Sequence, residues 1–399
     1  MTLMLGGRGR DSSTANCTAI AWAGRTLTYA ELDAAVEQWP HLPVHDARSH
    51  GALSHDASAL DLPDALICVF AAARQGSAVR VEDPAARPER PPHADPDAFL
   101  LVATSGSTGR PKPLARTAAS WVDSFPEFTD ITGLRPTDTV LITGPLHATM
   151  HLFAAVHALW LGACVTDDPA QATAVHAVPA VLRDVVRRMP RARVAVAAGA
   201  GLDDAAAQTI SSQNASDQNT STQNISTQNT RLVEYYGSAE LSLVAARVVA
   251  ERSPLRLLRD VEARTEDGYL FVRSPYAAIG AHGWFGVGDL AELNGSELLV
   301  HGRGDAAINV GGTTVIAEDV ENILTALDGV RAAAAIGTPH AVLGETVSAV
   351  IELDGSRDLE LVRADARAIM AKEALPRRWT VVQQLPRTAS GKIARGALQ

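Results

Sequence analysis

The sequence contains little lysine and little cysteine. Of its 35 basic residues only three are lysine, at positions 112, 372 and 392, so arginine supplies almost all of the positive charge. A lysine in this chain therefore points to a specific need for a compact ammonium group. The three cysteines are far apart and lack the spacing of a zinc site or a disulfide framework. These absences predict a reduced protein without a structural metal.

Long apolar runs and an excess of positive charge are also missing. No apolar stretch approaches the roughly 18–20 residues that span a membrane, and the first residues contain no apolar signal-peptide segment. The 45 acidic residues outnumber the 35 basic ones, so the net charge of −10 gives no reason to expect nucleic acid or an anionic membrane as a partner. With 46% hydrophobic residues the chain can bury a sizeable core. We expect a soluble, cytoplasmic protein with more than one domain.

Most of the chain alternates short apolar runs with helical patterns. Residues 99–103 (FLLVA), 139–144 (TVLITG) and 193–198 (RVAVAA) have the pattern of buried strands, whereas residues 63–75 and 151–161 have that of apolar helices. Alternation of this kind predicts an α/β fold in which mostly parallel sheets are flanked by helices.

Two segments depart from this pattern. Residues 211–230 form four tandem pentapeptides with Gln-Asn at fixed positions (SSQNA SDQNT STQNI STQNT), which predicts a solvated loop rather than a binding element. From Asp305 onward the sequence has the composition of a small α+β unit that is long enough to fold independently. We therefore predict a large domain over residues 1–304, with residues 211–230 as an inserted loop, and a small domain over residues 305–399.

The strongest local motif runs from Thr104 to Lys112 (TSGSTGRPK) and directly follows the strand-like run FLLVA. Glycines allow the backbone to approach an anion closely, and the hydroxyl groups, the backbone amides and the lysine supply donors and positive charge. The order of residues differs from G-x-x-x-x-G-K-[ST], so the chemistry of P-loop kinases and GTPases does not follow. The motif predicts a phosphate-binding turn.

This turn resembles the phosphate-loop signature of the adenylate-forming superfamily, which includes acyl-CoA synthetases, peptide-synthetase adenylation domains and luciferases. Further motifs of that superfamily occur in the same order, in YGSAE (236–240), GWFGVGDL (283–290), GRGDAAINVGG (302–312) and LPRTASGKIAR (385–395). Within the superfamily the chain looks most like a short bacterial fatty-acyl-CoA ligase. Because the chain is shorter than is usual in the family, we expect an N-terminally truncated large domain and a small, mobile C-terminal domain.

The resemblance implies a reaction in two steps. A carboxylic acid first reacts with ATP to give an acyl-adenylate and pyrophosphate, and the acyl group then passes to the thiol of CoA. Lys392, Glu240 and Thr108 are implied as catalytic residues, with Glu240 as the ligand of Mg²⁺ and Lys392 bridging the acid and the α-phosphate. The residues implied in nucleotide binding are Thr104, Ser105, Gly106, Ser107, Thr108, Gly109, Lys112, Tyr236, Gly237, Asp289, Arg303 and Lys392.

The same resemblance assigns the remaining parts of the cycle. The small domain is expected to swing about a hinge at Asp305 between the two steps, and Gly311 and Gly312 would then line the CoA channel. The apolar stretch around His147 favours a fatty or similarly apolar acid over an amino acid. The residues implied around the acyl group are His147, Met150, His151, Gly199 and Gly201.

Three positions depart from the superfamily pattern. Ala239 and Val287 stand where a threonine is usual, which removes two hydroxyl groups near the nucleotide, and Asn309 stands where a lysine is usual, which bears on thiol transfer. Three alternatives to a fatty-acyl-CoA ligase therefore stay open. They are an enzyme that loads a carrier-protein phosphopantetheine, an aryl- or o-succinylbenzoyl-CoA ligase, and a nucleotide-binding pseudoenzyme.

Overall fold

The structure is a computed structural model that describes residues 3–6, 15–41, 54–86, 95–105, 111–199, 202, 207, 210, 230–249, 253–303, 307–310, 313–340, 344–388 and 393–398. Residues 211–229 of the predicted inserted loop lie outside the described residues. The helices are α1 (Tyr29–Glu37), α2 (Leu62–Gln75), α3 (Ala119–Val122), α4 (Phe125–Thr132), α5 (Thr149–Leu161), α6 (Pro179–Val186), α7 (Ala317–Thr325) and α8 (Leu359–Ile369).

The strands, in chain order, are β1 (Thr18–Trp22), β2 (Arg25–Thr28), β3 (Ser54–Asp56), β4 (Ala78–Arg80), β5 (Leu100–Ser105), β6 (Pro111–Arg116), β7 (Thr139–Leu141), β8 (Cys164–Thr166), β9 (Ala174–Ala177), β10 (Val194–Ala198), β11 (Arg231–Ser238), β12 (Ser242–Val248), β13 (Leu255–Leu257), β14 (Glu262–Glu266), β15 (Tyr269–Arg273), β16 (Phe285–Asn294), β17 (Glu297–Arg303), β18 (Ala307–Val310), β19 (Thr313–Ile316), β20 (Val330–His340), β21 (Gly344–Leu353) and β22 (Arg378–Val382).

Among the described residues, the largest sheet has 13 strands in the order β14-β15-β16-β17-β13-β12-β11-β10-β9-β7-β8-β1-β2. Its central strands β1, β8, β7, β9, β10 and β11 are parallel, whereas the strands that flank them pair antiparallel. The α/β class is confirmed, but the expectation of a mostly parallel sheet holds only for the centre. Several of the flanking pairs, such as β1–β2, β14–β15 and β16–β17, are joined by short turns. A short turn can join only antiparallel neighbours, because parallel strands need a crossover.

A second sheet, in the order β3-β4-β5-β6, carries the predicted phosphate-binding turn. Strands β3, β4 and β5 are parallel, and β5 pairs antiparallel with β6. Helix α2 precedes β4 and is almost entirely buried; Asp61 accepts a hydrogen bond from the Asp64 amide at its N-terminus, and Gly76 ends it in the left-handed conformation (φ 66°). These local signals fix where β4 begins, and β4 in turn positions β5 beside it.

The C-terminal residues form their own sheet and core. Strands β18, β19, β20 and β21 pair antiparallel and β22 joins β21 in parallel. Helices α7 and α8 bury Val320, Leu324, Val362 and Ala366 against this sheet, as the helical spacing predicts. A large sheet domain followed by a small C-terminal domain is therefore confirmed, while the boundary at residue 305 stays a prediction. No helix within the described ranges is both long and apolar enough to cross a membrane.

Candidate active site

The structure describes only part of the predicted site. The predicted site residues outside the described ranges are Gly106, Ser107, Thr108, Gly109, Gly201, Asp305, Gly311, Gly312 and Lys392. For Thr104, Ser105 and Arg303 the backbone alone is described. The roles of all these residues stay predictions, and the geometry of the site rests on the remaining ones.

The two ends of the phosphate-binding motif lie next to each other on the hairpin β5–β6. Thr104 is the cross-strand neighbour of Lys112, and Ser105 that of Pro111. Lys112 is exposed. The hairpin therefore holds a hydroxyl-bearing residue and the lysine at the same level of the sheet, on either side of the turn.

Tyr236 and Asp289 meet although they are far apart in the chain. Tyr236 lies on β11 and Asp289 on β16, and the tyrosine hydroxyl donates a hydrogen bond to the aspartate carboxylate. Asp289 is 7% exposed. The register of β16 and β17 places Arg303 directly opposite Asp289. Three residues that the sequence implied in nucleotide binding thus occupy one small region of the large sheet.

Gly237 follows Tyr236 at an irregularity in β11. The pairing of β11 with β12 shifts between Tyr236 and Gly237, and a Cβ atom at Gly237 would lie 2.0 Å from the backbone oxygen of Ser242. Ser242 itself has a positive φ of 60°. The two strands therefore approach so closely that only glycine fits, and this tight turn determines the direction of the backbone between Tyr236 and Glu240.

Backbone hydrogen bonds hold the Glu240 turn against the second sheet. The Ala278 amide donates to the Glu240 carbonyl at 2.7 Å, and the Ile279 amide donates to the Ala115 carbonyl on β6 at 2.9 Å. Because β6 continues directly from the phosphate-binding turn, the residue predicted to bind Mg²⁺ and that turn belong to one connected part of the structure. Glu240 is half-buried.

Sequence reasoning missed Arg116, which stands at the centre of this connection. Arg116 ends β6, is 1% exposed, and donates to the carbonyl oxygens of Ala239 and Tyr276. Arginine is almost never fully buried without a partner. Its position at the end of the short strand PKPLAR, directly after the apolar run Pro113–Ala115, was the only signal available in the sequence.

The residues predicted around the acyl group lie at the start of α5. His147 is half-buried, with its Nε2 atom 3.9 Å from an oxygen of Asp83, and Met150 is also half-buried. His151 is 2% exposed, and its imidazole lies against Gly144, where a Cβ atom would approach Nε2 to 2.4 Å. Burial, and then the proximity of His147, lowers the pKa of His151 to about 4. The imidazole of His151 is therefore neutral at neutral pH.

Gly199 lies beyond the carboxyl end of β10, beside β11. It has a φ of 80° and is exposed, and its neighbour Ala198 is paired with Tyr235. In sheets with parallel central strands, ligands bind beyond the carboxyl ends of the strands. Gly199 therefore lies where it could form one wall of a ligand-binding site beyond the carboxyl end of β10.

Comparison with known proteins identifies the family. The family model described as "AMP-binding enzyme" matches residues 44–268, which is more than half of the chain, and the model "AMP-binding enzyme C-terminal domain" matches residues 319–392. The chain belongs to the AMP-binding enzyme family. The superfamily resemblance found in the motifs is thereby confirmed.

Several relatives of this AMP-binding enzyme are named acyl-CoA ligases. The chain is 30% identical to the uncharacterized acyl-CoA ligase YhfT of Bacillus subtilis, over 77% of this chain and 70% of that protein. It is 26% identical to the putative long chain fatty acid-CoA ligase VraA of Staphylococcus epidermidis, over 73% and 69%. The fold is similar to that of the anthranilate CoA ligase AuaEII, with a TM-score of 0.78, 16% identity and coverage of 97% of this chain and 94% of that one.

A buried histidine lies behind the tyrosines of β11 in this AMP-binding enzyme. His176 on β9 is 2% exposed, and its Nε2 atom is 3.0 Å from the hydroxyl oxygen of Tyr235. Burial lowers the pKa of His176 to about 3, and His151 and His157 act in the same direction. The imidazole is therefore neutral in the folded protein at neutral and mildly acidic pH.

This burial predicts a loss of stability in acid. An unfolded chain binds a proton at His176 near pH 6.5, whereas the folded protein does not, so the free energy of unfolding falls as the pH falls below that value. We expect the His176→Gln variant to lose this contribution. The slope of its free energy of unfolding against pH should be smaller by up to about 1.4 kcal/mol per pH unit between about pH 6 and about pH 4.5. Urea unfolding at a series of pH values measures it, and identical slopes for both proteins would contradict the assignment.

Proposed function

We propose that the protein is an ATP-dependent acid–thiol ligase that activates a carboxylic acid as acyl-AMP, releases pyrophosphate and then transfers the acyl group to CoA. The observation that carries the proposal is the meeting of three motif segments from distant parts of the chain. The hairpin that bears Thr104 and Lys112, the segment from Tyr236 to Glu240, and Asp289 are joined by the hydrogen bonds described above. Each segment has the residue type that its part of the reaction needs.

The nucleotide is proposed to lie across these segments. The turn after β5, with Lys112, binds the β- and γ-phosphates and the departing pyrophosphate, where an ammonium group offsets negative charge. The ring of Tyr236 lies against adenine, and the Asp289 carboxylate accepts hydrogen bonds from the ribose hydroxyls. The hydrogen bond between Tyr236 and Asp289 supports this proposal, because the base and the sugar of one nucleoside are also neighbours.

A magnesium ion fits the donors of this site. Among the described residues no group of three or more histidine, cysteine, aspartate or glutamate side chains could hold a metal by itself. Mg²⁺ prefers one or two carboxylates together with phosphate oxygens and water, and Glu240 supplies one carboxylate next to the phosphate-binding hairpin. When bound, the ion would neutralise charge on the phosphates. The chain's own task is to hold Glu240 at the correct place.

The acid is proposed to be fatty or similarly apolar. His147, Met150 and His151 begin an almost wholly buried helix, α5, and the lowered pKa of His151 keeps that group uncharged. Such a wall favours an apolar chain. Gly199 and Gly201 are proposed to form the opposite side of the acyl pocket.

The small domain is proposed to supply Lys392 to the first step and to swing about Asp305 for the second. A large domain over residues 1–304 and a small one over residues 305–399 follow from this proposal. The separate sheet and core of the C-terminal residues support it. Gly311 and Gly312 would then line the channel for CoA, where glycine allows close approach.

Pyrophosphate exchange tests the proposal most directly. We expect incorporation of labelled pyrophosphate into ATP in the presence of saturated fatty acids or other apolar acids, and no incorporation without an acid. Mass spectrometry of the products with CoA then identifies the thioester. ATP binding without exchange for any acid in a broad panel would contradict the ligase and favour a pseudoenzyme.

The same assay separates the other candidates. Exchange with aryl acids alone would favour an aryl-CoA or o-succinylbenzoyl-CoA ligase. Exchange with fatty acids but transfer only to a phosphopantetheinylated carrier protein, and not to free CoA, would favour a loading enzyme. We favour CoA because the relatives compared above are named CoA ligases.

A further inference from the structure

Arg116 is a buried cation whose hydrogen bonds all go to neutral groups. Its Nε and Nη2 atoms donate to the Ala239 carbonyl at 3.2 and 2.8 Å, and Nη2 also approaches the Glu240 carbonyl at 3.4 Å. Its Nη1 atom donates to the Tyr276 carbonyl and to the Ser120 hydroxyl, both at 3.0 Å. Among the described residues none of these acceptors is a carboxylate, so Arg116 is not half of a buried ion pair.

The guanidinium joins three segments that are distant in sequence. The side chain extends from the end of β6. On one side it donates to the Ala239 carbonyl in the turn between β11 and β12, and on the other it donates to the Tyr276 carbonyl in the loop after β15. The planar fork of an arginine can satisfy several carbonyls in one plane, which a lysine ammonium cannot. Such a connection fixes the turn relative to β6 and therefore relative to the phosphate-binding hairpin.

Its charge is also directed at the same turn. Burial lowers the pKa of Arg116 to about 9, and the negative charge of Glu240 acts in the opposite direction. The guanidinium and the Glu240 carboxylate carry opposite charges and therefore attract each other. Hydrogen bonds to the backbone and attraction to the side chain act on the same residue.

We propose that Arg116 is a positioning residue that fixes the Ala239–Glu240 turn, and with it the Glu240 carboxylate, relative to the phosphate-binding hairpin. The proposal rests on the proposed function, in which Glu240 is the metal ligand. It adds that the placement of this carboxylate depends on a residue that touches neither the nucleotide nor the metal. Loss of the fork would therefore weaken binding of the metal–nucleotide complex more than it weakens binding of the nucleotide alone.

The experiment compares Arg116→Lys with Ser120→Ala. Both variants lose contacts of the same buried group, but Ser120→Ala keeps the hydrogen bonds to Ala239 and Glu240. ATP binding to the full chain is measured by calorimetry over a series of Mg²⁺ concentrations. We expect the Mg²⁺ concentration for half-maximal enhancement of ATP binding to rise by about tenfold in Arg116→Lys and to stay at the wild-type value in Ser120→Ala.

Hydrogen exchange gives a readout that does not involve the metal. The Ala278 amide is bonded to the Glu240 carbonyl, so its exchange is expected to accelerate in Arg116→Lys and not in Ser120→Ala. If Arg116→Lys does not fold, Arg116→Gln, whose amide can still donate to a carbonyl, replaces it with the same expectations. An unchanged Mg²⁺ dependence, or an equal shift in both variants, would overturn the positioning role. Absence of Mg²⁺-dependent ATP binding in the wild-type protein would instead count against the proposed function.

Discussion

Replacement of Lys392 by alanine is expected to reduce acid-dependent pyrophosphate exchange by at least about a hundredfold. The resemblance places this lysine between the acid carboxylate and the α-phosphate, where negative charge accumulates as the two react. Removing a preorganised positive charge at that point raises the barrier of the first step directly. Initial rates of exchange at saturating acid and ATP measure the effect, and ATP affinity is expected to change much less.

Lys372 provides a matched control for Lys392. It is an exposed lysine of the same domain that belongs to none of the family motifs, so Lys372→Ala is expected to leave exchange at the wild-type rate. Transfer of the acyl group from a preformed acyl-adenylate to CoA is expected to survive in Lys392→Ala, because that step does not use the lysine. An equal loss of both steps would show that the residue acts on the fold and not on adenylation.

The described residues that follow Lys392 in the sequence are anchored to the small domain. Arg395 donates to both carboxylate oxygens of Glu321 on α7, at 2.8 and 2.5 Å, and also pairs with Glu318 at 2.9 Å. The amide of Ala394 donates to the Pro386 carbonyl. A bidentate arginine pair of this kind is geometrically specific, so the end of the lysine motif is fixed to α7, the first helix of the small domain.

Much of the fold was predictable because its signals are local. Thr28 and Glu31 form a capping box that starts α1 at Tyr29. Gly76 ends α2 in the left-handed backbone conformation, which glycine adopts far more readily than other residues. The strand runs near residues 100, 140 and 195 are short and apolar, as in the structure. In each case a few consecutive residues decide the outcome.

The strand directions and the contacts of the site were harder to predict. Whether neighbouring strands run parallel depends on which distant segments pair, and a run of apolar residues carries no information on that choice. Arg116 illustrates the same limit, because the two carbonyls that its guanidinium binds, those of Ala239 and Tyr276, lie 123 and 160 residues further along the chain. The motifs predicted which residues belong to the site, but not what holds them together.

Replacement of Gly237 by alanine is expected to lower the free energy of unfolding by about 3 kcal/mol or more. The added Cβ would lie 2.0 Å from the Ser242 oxygen and 3.0 Å from its carbonyl carbon, and both are backbone atoms that no rotamer change can move. The paired strands must separate, which also displaces Tyr236 and Glu240 on either side. We therefore expect a large loss of ATP affinity together with the loss of stability, measured by calorimetry and urea unfolding.

Gly295 separates the effect of space from that of backbone conformation. It lies in the turn between β16 and β17 with a φ of 61°, and a Cβ there would have no atom within 4 Å. Gly295→Ala is therefore expected to lower the free energy of unfolding by only about 1 kcal/mol, which is the cost of a left-handed backbone conformation in a residue with a Cβ atom. ATP binding is expected to stay unchanged. Gly237 does not have a positive φ. The destabilisation expected for Gly237→Ala must therefore come from the close approach of the two strands. Equal destabilisation by the two substitutions would mean that β12 yields easily and that this turn does not define the position of Glu240.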